Sequence, residues 1–254
     1  MDQEDIIPED VICFQHCIKD VDILAFYIPE ICPICGLNME SDPSMEMPPF
    51  RLPSPFTNGA ASPFSLLIRP TNGSFLLHYS NSSDLHIGIT DSRGTVYDFD
   101  NDGLHASTVR WSHCLAITLE PRGIDASLEW DTKLQEFAMK PEWQASQYNE
   151  ESRNCYHFVI NFLQYYGLTN YPAESEEFCE EIILPRTIQA AKYIGLYRKL
   201  RKEGLIINNR SQNLPHEDNQ EDANDDLQDN SVDPESSESN PRAEPAYEIA
   251  ETKL

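Results

Sequence analysis

The 254-residue sequence is poor in basic side chains, and it has no long apolar run. Its 18 Lys and Arg residues face 43 Asp and Glu residues, which gives a formal net charge of −25 at pH 7. Such a charge repels nucleic-acid phosphates and anionic membrane surfaces, so we expect neither as a partner. No segment approaches the roughly 20 apolar residues of a membrane span, and the acidic start MDQEDIIPED lacks the apolar stretch of a signal peptide.

The seven cysteines are an odd number, and no secretory signal accompanies them. This usage is typical of a reducing compartment, where thiols bind metal or act in catalysis instead of forming disulfides. We therefore expect a cytoplasmic or nuclear protein.

Cysteine, proline and charge content divide the chain into four segments. Residues 1–45 hold four of the cysteines, and a proline-rich joint follows at 46–55. Residues 56–207 carry most of the periodic apolar patterning of a folded domain. Residues 208–254 form an acidic tail, which from Pro215 onward has 13 Asp and Glu but only two Lys and Arg. We predict that this tail is disordered, because its few apolar side chains cannot offset the entropy lost on ordering.

Within 56–207 the strand patterns precede the helix patterns. The predicted strands are 64–69, 74–79, 85–90, 95–99 and 115–119. The predicted helices are 127–139, 154–167 and 187–204. Strands grouped before helices predict an α+β fold, in which helices pack on an antiparallel sheet.

The clearest predicted helix begins with a cysteine. Asn154 is a favoured N-cap residue, and Gly167 is a favoured residue just beyond a helix end. The positive end of a helix favours the thiolate form of a thiol, so Cys155 is a candidate nucleophile. His157 falls on the polar side of the same helix, so the base that a nucleophile needs must come from another element. The alternative is an inert, buried cysteine on an apolar stripe.

His86 is the candidate base, because an imidazole in the apolar strand LHIGIT needs a reason to be there. Asp98 follows twelve residues later, across a predicted hairpin turn. A three- or five-residue turn places His86 and Asp98 opposite each other on one face of the hairpin, whereas a two-residue turn separates the faces.

The HIGI strand, the hairpin and the later N-C-Y-H-F-V at a helix start resemble the circularly permuted papain-like thiol proteins. These include the lecithin retinol acyltransferase-like enzymes, the NlpC-like peptidases and the PPPDE isopeptidases. The resemblance implies that Cys155 is the nucleophile, His86 the base and Asp98 the orienting residue. No Trp follows His86, and several relatives have His at the third position. The implied activity is a thiol hydrolase or acyltransferase that acts on an isopeptide, peptide, thioester or ester.

A second resemblance spans residues 12–207, through the motifs CPIC, PSPFTNG, DLHIGI, NCYHF and LYRKLRKEG. These motifs are similar to those of the makorin opposite-strand family, for which no activity is established. The alternative function is therefore a non-enzymatic interaction protein with a papain-like shell and a structural zinc. Either function implies a protein partner or a protein-derived substrate.

The N-terminal cysteines have the spacing of metal ligands. Cys32 and Cys35 form a C-P-I-C-G knuckle, and Cys17 offers a third thiolate. The fourth ligand is His16 or Cys13. The 14 residues between Cys17 and Cys32 suit a β-hairpin, as in a zinc ribbon. A small segment with little core needs a bound metal ion of this kind to stabilise it. We predict a closed structural zinc site without catalysis; the alternative is a set of free thiols.

Overall fold

The computed structural model describes residues 10–41, 45–121 and 125–210. These residues form two antiparallel sheets and several helices, so the predicted α+β class is confirmed. The predicted acidic tail lies, from residue 211 onward, outside the described residues. Of the helices in the described ranges, none has both the length and the apolar character needed to cross a membrane.

The strands of the described chain are four to six residues long. They are β1 (Ile12–Gln15), β2 (Val21–Ala25), β3 (Met47–Arg51), β4 (Ser65–Pro70), β5 (Leu85–Thr90), β6 (Val96–Asp100), β7 (Gly103–Ser107), β8 (Leu115–Thr118) and β9 (Leu205–Asn209). The α-helices are α1 (Ala126–Ala138), α2 (Cys155–Tyr166), α3 (Ser175–Phe178) and α4 (Leu184–Glu203). A π-helical stretch, Cys179–Ile183, joins α3 to α4.

The larger sheet has the strand order β7-β6-β5-β4-β8. One of its faces is apolar, because Ile87 and Ile89 of β5 lie beside Ile68 and Leu66 of β4. Helix α2 contacts β5 and β6 and contributes its apolar stripe to the same core. The fully buried members of that stripe are Phe158, Val159, Phe162 and Leu163. The strong periodicity of 154–167 therefore predicted both the helix and its buried side.

The smaller sheet has the order β3-β1-β2-β9. It joins the N-terminal hairpin to the far end of the described chain, since β9 pairs with β2 from Leu205↔Ala25 to Asn209↔Val21. β3, which lies in the predicted joint, contains two prolines and occupies the sheet edge. An edge strand tolerates proline because one of its rows of N–H groups has no ladder partner. The division of the chain into four segments stays a prediction.

Residues 74–79 are not a strand, so this prediction is wrong. They form a helical turn in which the N–H of His78 donates to the carbonyl of Ser74 at 3.0 Å. The rings of Phe75 and Tyr79 lie one helical turn apart and contact each other at 5.0 Å in the core. Arg198 of α4 donates to three carbonyls of this turn, which stabilises it in place of a strand ladder.

Candidate functional site

Cys155 occupies the first position of α2, and its helix start is fixed by a side-chain cap. Asn154 accepts hydrogen bonds from the N–H groups of Tyr156 and His157 at 2.9 and 3.3 Å. Gly167 ends the helix with a φ of 102°. These are the two boundaries that the sequence predicts. The Cys155 side chain lies at the positive end of the helix, in a residue that is 7% exposed.

His157 belongs to the helix cap. Its Nδ1 accepts a hydrogen bond from the N–H of Asn154 at 3.4 Å, which completes a capping box. Burial lowers the pKa of His157, and the neutral ring that results is the form that can accept this bond. Its role at the helix start is therefore explained by local structure.

His86 of β5 and Asp98 of β6 are in direct contact. His86 Nε2 lies 2.8 Å from Asp98 Oδ2, and the two residues are 6% and 0% exposed. β5 and β6 pair with Thr90 opposite Val96. This register places Asp98 two positions away from the residue directly opposite His86. The two side chains therefore share a face, as predicted, but they meet on a diagonal.

The turn between β5 and β6 sets this register. The N–H of Asp91 donates to the carbonyl of Thr95 at 3.0 Å and closes a three-residue turn at 92–94. The Asp91 carboxylate also accepts hydrogen bonds from the backbone N–H groups of Arg93 and Thr95. Gly94 has a φ of 80°, and the carbonyl of Ala60 leaves no room there for a Cβ. The three-residue turn was one of the two predicted lengths that keep His86 and Asp98 on one face.

The Cys155 thiol interacts with this pair. Burial lowers the pKa of His86, but hydrogen bonds with Asp98 and with Cys155 outweigh burial, and the pKa rises to about 9. Because Asp98 engages Nε2, Nδ1 is the ring nitrogen left for the thiol. The arrangement favours an imidazolium between a carboxylate and a sulfur.

Trp111 is a site residue that the sequence analysis missed. Its Nε1 donates to Asp98 Oδ1 at 3.3 Å, and its ring stacks on His86 with centroids 5.7 Å apart. The ring also packs over Gly88, where an added Cβ would lie 2.9 Å from Cζ2 of Trp111. A glycine inside an apolar strand indicates a close approach of this kind, so the G of HIGI was the available signal.

Arg69 is the second residue that was missed. It lies on β4 directly opposite His86, and its guanidinium lies 5.1 Å from the centre of the Trp111 ring. Burial lowers the pKa of Arg69, while the nearby Asp98 opposes that shift. A lone arginine at a strand end carries no signal in the sequence, because its neighbours come from other strands.

A separate cluster contains His16, Cys17, Cys32 and Cys35, whose ligand atoms all lie within 4.8 Å of one another. The sulfurs of Cys17 and Cys32 are 4.0 Å apart, and Cys35 Sγ lies 3.4 Å from His16 Nδ1. A tetrahedral zinc with Zn–S bonds of about 2.3 Å separates its ligand atoms by roughly 3.8 Å. These four side chains therefore could hold one metal ion.

The backbone of the knuckle supports this cluster. The N–H of Ile34 points to Cys32 Sγ at 3.4 Å, and Gly36 turns the chain with a φ of 76°. Cys13 lies elsewhere, buried in an apolar cluster, where burial raises its pKa to about 11. Of the two candidates for the fourth position, the structure thus brings His16, and not Cys13, to the other three residues.

Two family models and one known protein match most of the chain. The family model DUF4796 C-terminal matches residues 49–200, and DUF4796 N-terminal matches residues 9–39. The MKRN2 opposite strand protein of Homo sapiens is 34% identical over 200 residues, which are 78% of this chain and 88% of the human protein. No solved structure matches the chain. The family resemblance seen in the motifs is therefore confirmed, and the chain belongs to the makorin opposite-strand family, DUF4796.

Proposed function

We propose that this protein is a thiol-dependent hydrolase or acyltransferase with a permuted papain-like site. The observation that carries the proposal is the position of His86, which lies 2.8 Å from Asp98 and also interacts with the Cys155 thiol. A nucleophile at a helix start, a base and a carboxylate that orients the base are the three groups that such chemistry requires.

Each residue has a defined role in the proposed reaction. The Cys155 sulfur attacks the acyl carbonyl carbon and forms a tetrahedral intermediate. His86 then gives its proton to the leaving group, and a thioester remains on Cys155. Attack by water or by an acceptor nucleophile, which His86 deprotonates, releases the acyl group and restores the thiol. Asp98 holds the His86 ring and balances its charge.

The start of α2 supplies a donor for the oxyanion. The Asn154 side chain engages the N–H groups of Tyr156 and His157, whereas the N–H of Cys155 lies outside this cap. An N–H beside the nucleophile can donate to the oxygen that becomes negative in the intermediate. The substrates that fit this chemistry are an isopeptide, a peptide, a thioester or an ester, and a protein-derived substrate suits the family of enzymes that the motifs resemble.

The second candidate is an interaction protein that uses the same shell without catalysis. The low exposure of Cys155 and His86 favours it, since 7% and 6% of these residues reach solvent. A cavity of about 490 Å³ between α4 and β8 is lined by Ile117, Arg186 and Lys192 among others, and it does not contain Cys155. In this function the surface, and not the thiol, engages the partner.

A reaction with p-nitrophenyl acetate separates the two candidates. Acetylation of the folded protein should place one acetyl group on Cys155, detected by peptide mass spectrometry, with release of one nitrophenolate per chain. Cys155→Ser should lose this burst, whereas Cys114→Ser, which removes a fully buried thiol, should keep it. An identical, slow reaction of both variants and the unaltered protein would favour the interaction protein.

The N-terminal cluster is proposed to hold zinc in a structural role. Three thiolates and one imidazole form a closed tetrahedral set, which leaves no position for a substrate. The ion would link β1, β2 and the knuckle at Cys32, in the manner of a zinc ribbon, and so stabilise a segment with a small core.

A further inference from the structure

The Arg69 side chain has a buried N–H group that donates to no acceptor among the described residues. Its Nε is buried and has no hydrogen-bond partner there. Its Nη1 reaches only the carbonyl of Pro70, at 3.4 Å. The guanidinium rests on the Trp111 ring, which supports the cation on one face but takes no hydrogen bond along its edge.

The two nearby carboxylates accept hydrogen bonds from other side chains. Asp98 accepts from His86 through Oδ2 and from Trp111 through Oδ1. Asp100 accepts from His105 through Oδ1 and from Arg110 through Oδ2. Among the described residues Arg69 forms no ion pair with either carboxylate, and burial lowers its pKa.

A guanidinium in this state is suited to an incoming anion. A buried N–H without an acceptor costs free energy, and a carboxylate that arrives with a substrate removes that cost. The planar fork of arginine matches a carboxylate better than any other side chain does. Arg69 also lies directly opposite His86, and the Cys155 thiol is near enough to both side chains to act on their charges.

We infer that Arg69 binds a carboxylate of the substrate through its Nε–H, so that the site selects acyl compounds with a negative group near the reacting carbon. This inference rests on the proposed function, because it assumes that Cys155 is the reacting group. It adds the chemical class of the substrate, which the proposed function leaves open.

Two alkylating reagents with the same leaving group test the inference. Iodoacetate and iodoacetamide both lose iodide as the thiolate forms a thioether, but only iodoacetate carries a carboxylate. The rate of alkylation at each cysteine is measured by peptide mass spectrometry on the folded protein. The net charge of −25 repels iodoacetate from the molecule as a whole. We expect the iodoacetate-to-iodoacetamide rate ratio to be higher at Cys155 than at Cys179, which serves as an internal reference.

Variants separate Arg69 from the other cation at the site, the His86 imidazolium. Arg69→Gln should lower the rate ratio at Cys155 by about tenfold, the effect of one hydrogen bond to a charged group. Arg69→Lys, which keeps the charge and loses Nε, should also lower it, and it decides the test if the Gln variant does not fold. Arg110→Gln is the matched control, because Arg110 is exposed and already bonded to Asp100, and the ratio should stay within about twofold.

Each outcome has one meaning. A ratio that falls in both Arg69 variants and not in Arg110→Gln supports the inference. An unchanged ratio in a folded Arg69 variant, with rapid reaction of Cys155 with iodoacetamide, overturns the inference and leaves the proposed function intact. If Cys155 reacts with neither reagent faster than Cys179 does, the proposed function fails and the inference fails with it.

Discussion

His86 lies inside a strand, and it interacts with both a carboxylate and a thiol. Nε2 is bonded to Asp98, and the Cys155 thiol also interacts with the ring. Trp111 supports the pair from one side, since it stacks on the ring and donates to the carboxylate. A residue that served packing alone would need none of these polar partners, because an apolar side chain would fill the same volume.

The raised pKa of His86 predicts a pH dependence of stability. The folded-state pKa is about 9, against an ordinary value of 6.5. The stabilisation is therefore complete below pH 6.5 and is lost as the pH rises from 6.5 through 9. Denaturant unfolding at several pH values should show that the advantage of the unaltered protein over His86→Asn shrinks by about 3 kcal/mol in this window. A constant difference between the two proteins would contradict the protonated ring.

Gly88 gives a second prediction at the residue scale. An added Cβ there would lie 2.9 Å from both Trp111 and Val96, within the sheet that carries His86. Gly88→Ala should lower the free energy of unfolding by about 1–3 kcal/mol, because the packed ring must move. Gly195→Ala is the matched control, since nothing lies within 4 Å of its added Cβ and the position is inside α4. That change should raise stability by about 0.5–1 kcal/mol, and equal effects of the two changes would contradict the packing.

At the scale of elements, the site is assembled from three short pieces. The cap of α2 sets the position of Cys155, the three-residue turn sets the register of β5 and β6, and the loop after β7 brings in Trp111. The cap and the turn are held by hydrogen bonds that do not involve the site residues. The reacting groups are therefore positioned by their surroundings, which is the condition for preorganised catalysis.

The N-terminal knuckle predicts bound metal. Elemental analysis of the purified protein should find about one zinc per chain, and Cys35→Ser should lose it. Cys13→Ala is the matched control and should retain the metal, because Cys13 lies outside the cluster. Chelation should lower the melting temperature of the unaltered protein. A fully folded, metal-free sample, or metal retained in Cys35→Ser, would contradict the site.

The parts of the fold that sequence predicted are those determined by near neighbours. The bounds of α2 follow from its periodicity and caps, those of α1 follow from periodicity alone, and the β5–β6 hairpin follows from a short turn. The segment 74–79 was misread because its short apolar run fits one helical turn as well as a strand. Arg198 of α4 stabilises that turn from far along the chain. The last helix begins earlier than predicted, at Leu184, because Pro185 lies in its first turn and does not precede it.

The residues of the candidate site also fall into two groups, those that local sequence predicted and those that it did not. Cys155, His86 and Asp98 each lay in a recognisable local pattern. Trp111 and Arg69 reach the site only because strand order brings β4 and the loop after β7 beside β5, and no pattern of near neighbours encodes that. His16 could not be separated from Cys13 by spacing alone, because the choice depends on which side chain of the first hairpin faces the knuckle.

At the scale of the whole molecule, the smaller sheet contains strands from both ends of the described chain. β9 pairs with β2, and Arg210 just beyond it forms two hydrogen bonds with Asp22, at 2.7 and 2.8 Å. Gln15 of β1 also donates to Asp22, at 2.8 Å. The N-terminal hairpin, which contributes two residues of the proposed metal site, is thus joined to the strand that follows α4.

Two truncations test whether β9 stabilises the smaller sheet. Removal of residues 211–254 should leave the thermal unfolding transition nearly unchanged, because that segment has few apolar side chains to bury. Removal of residues 205–254 also takes β9 and the buried Ile206, and it should cost about 2–5 kcal/mol. A large loss of stability in the first truncation would show that the acidic segment packs on the rest of the molecule.

The proposed catalytic site requires that His86 and Cys155 act together. The most direct measurement is the rate of Cys155 alkylation by dilute iodoacetamide near neutral pH, read for each cysteine by mass spectrometry. Burial raises the pKa of Cys114 and of Cys179 to about 11, so both should react slowly. We predict that Cys155 reacts before these two and that His86→Ala slows it by about tenfold or more without a change at Cys179. Equal reaction of Cys155 and Cys114, or a rate that is unchanged in His86→Ala, would contradict the proposed catalytic site.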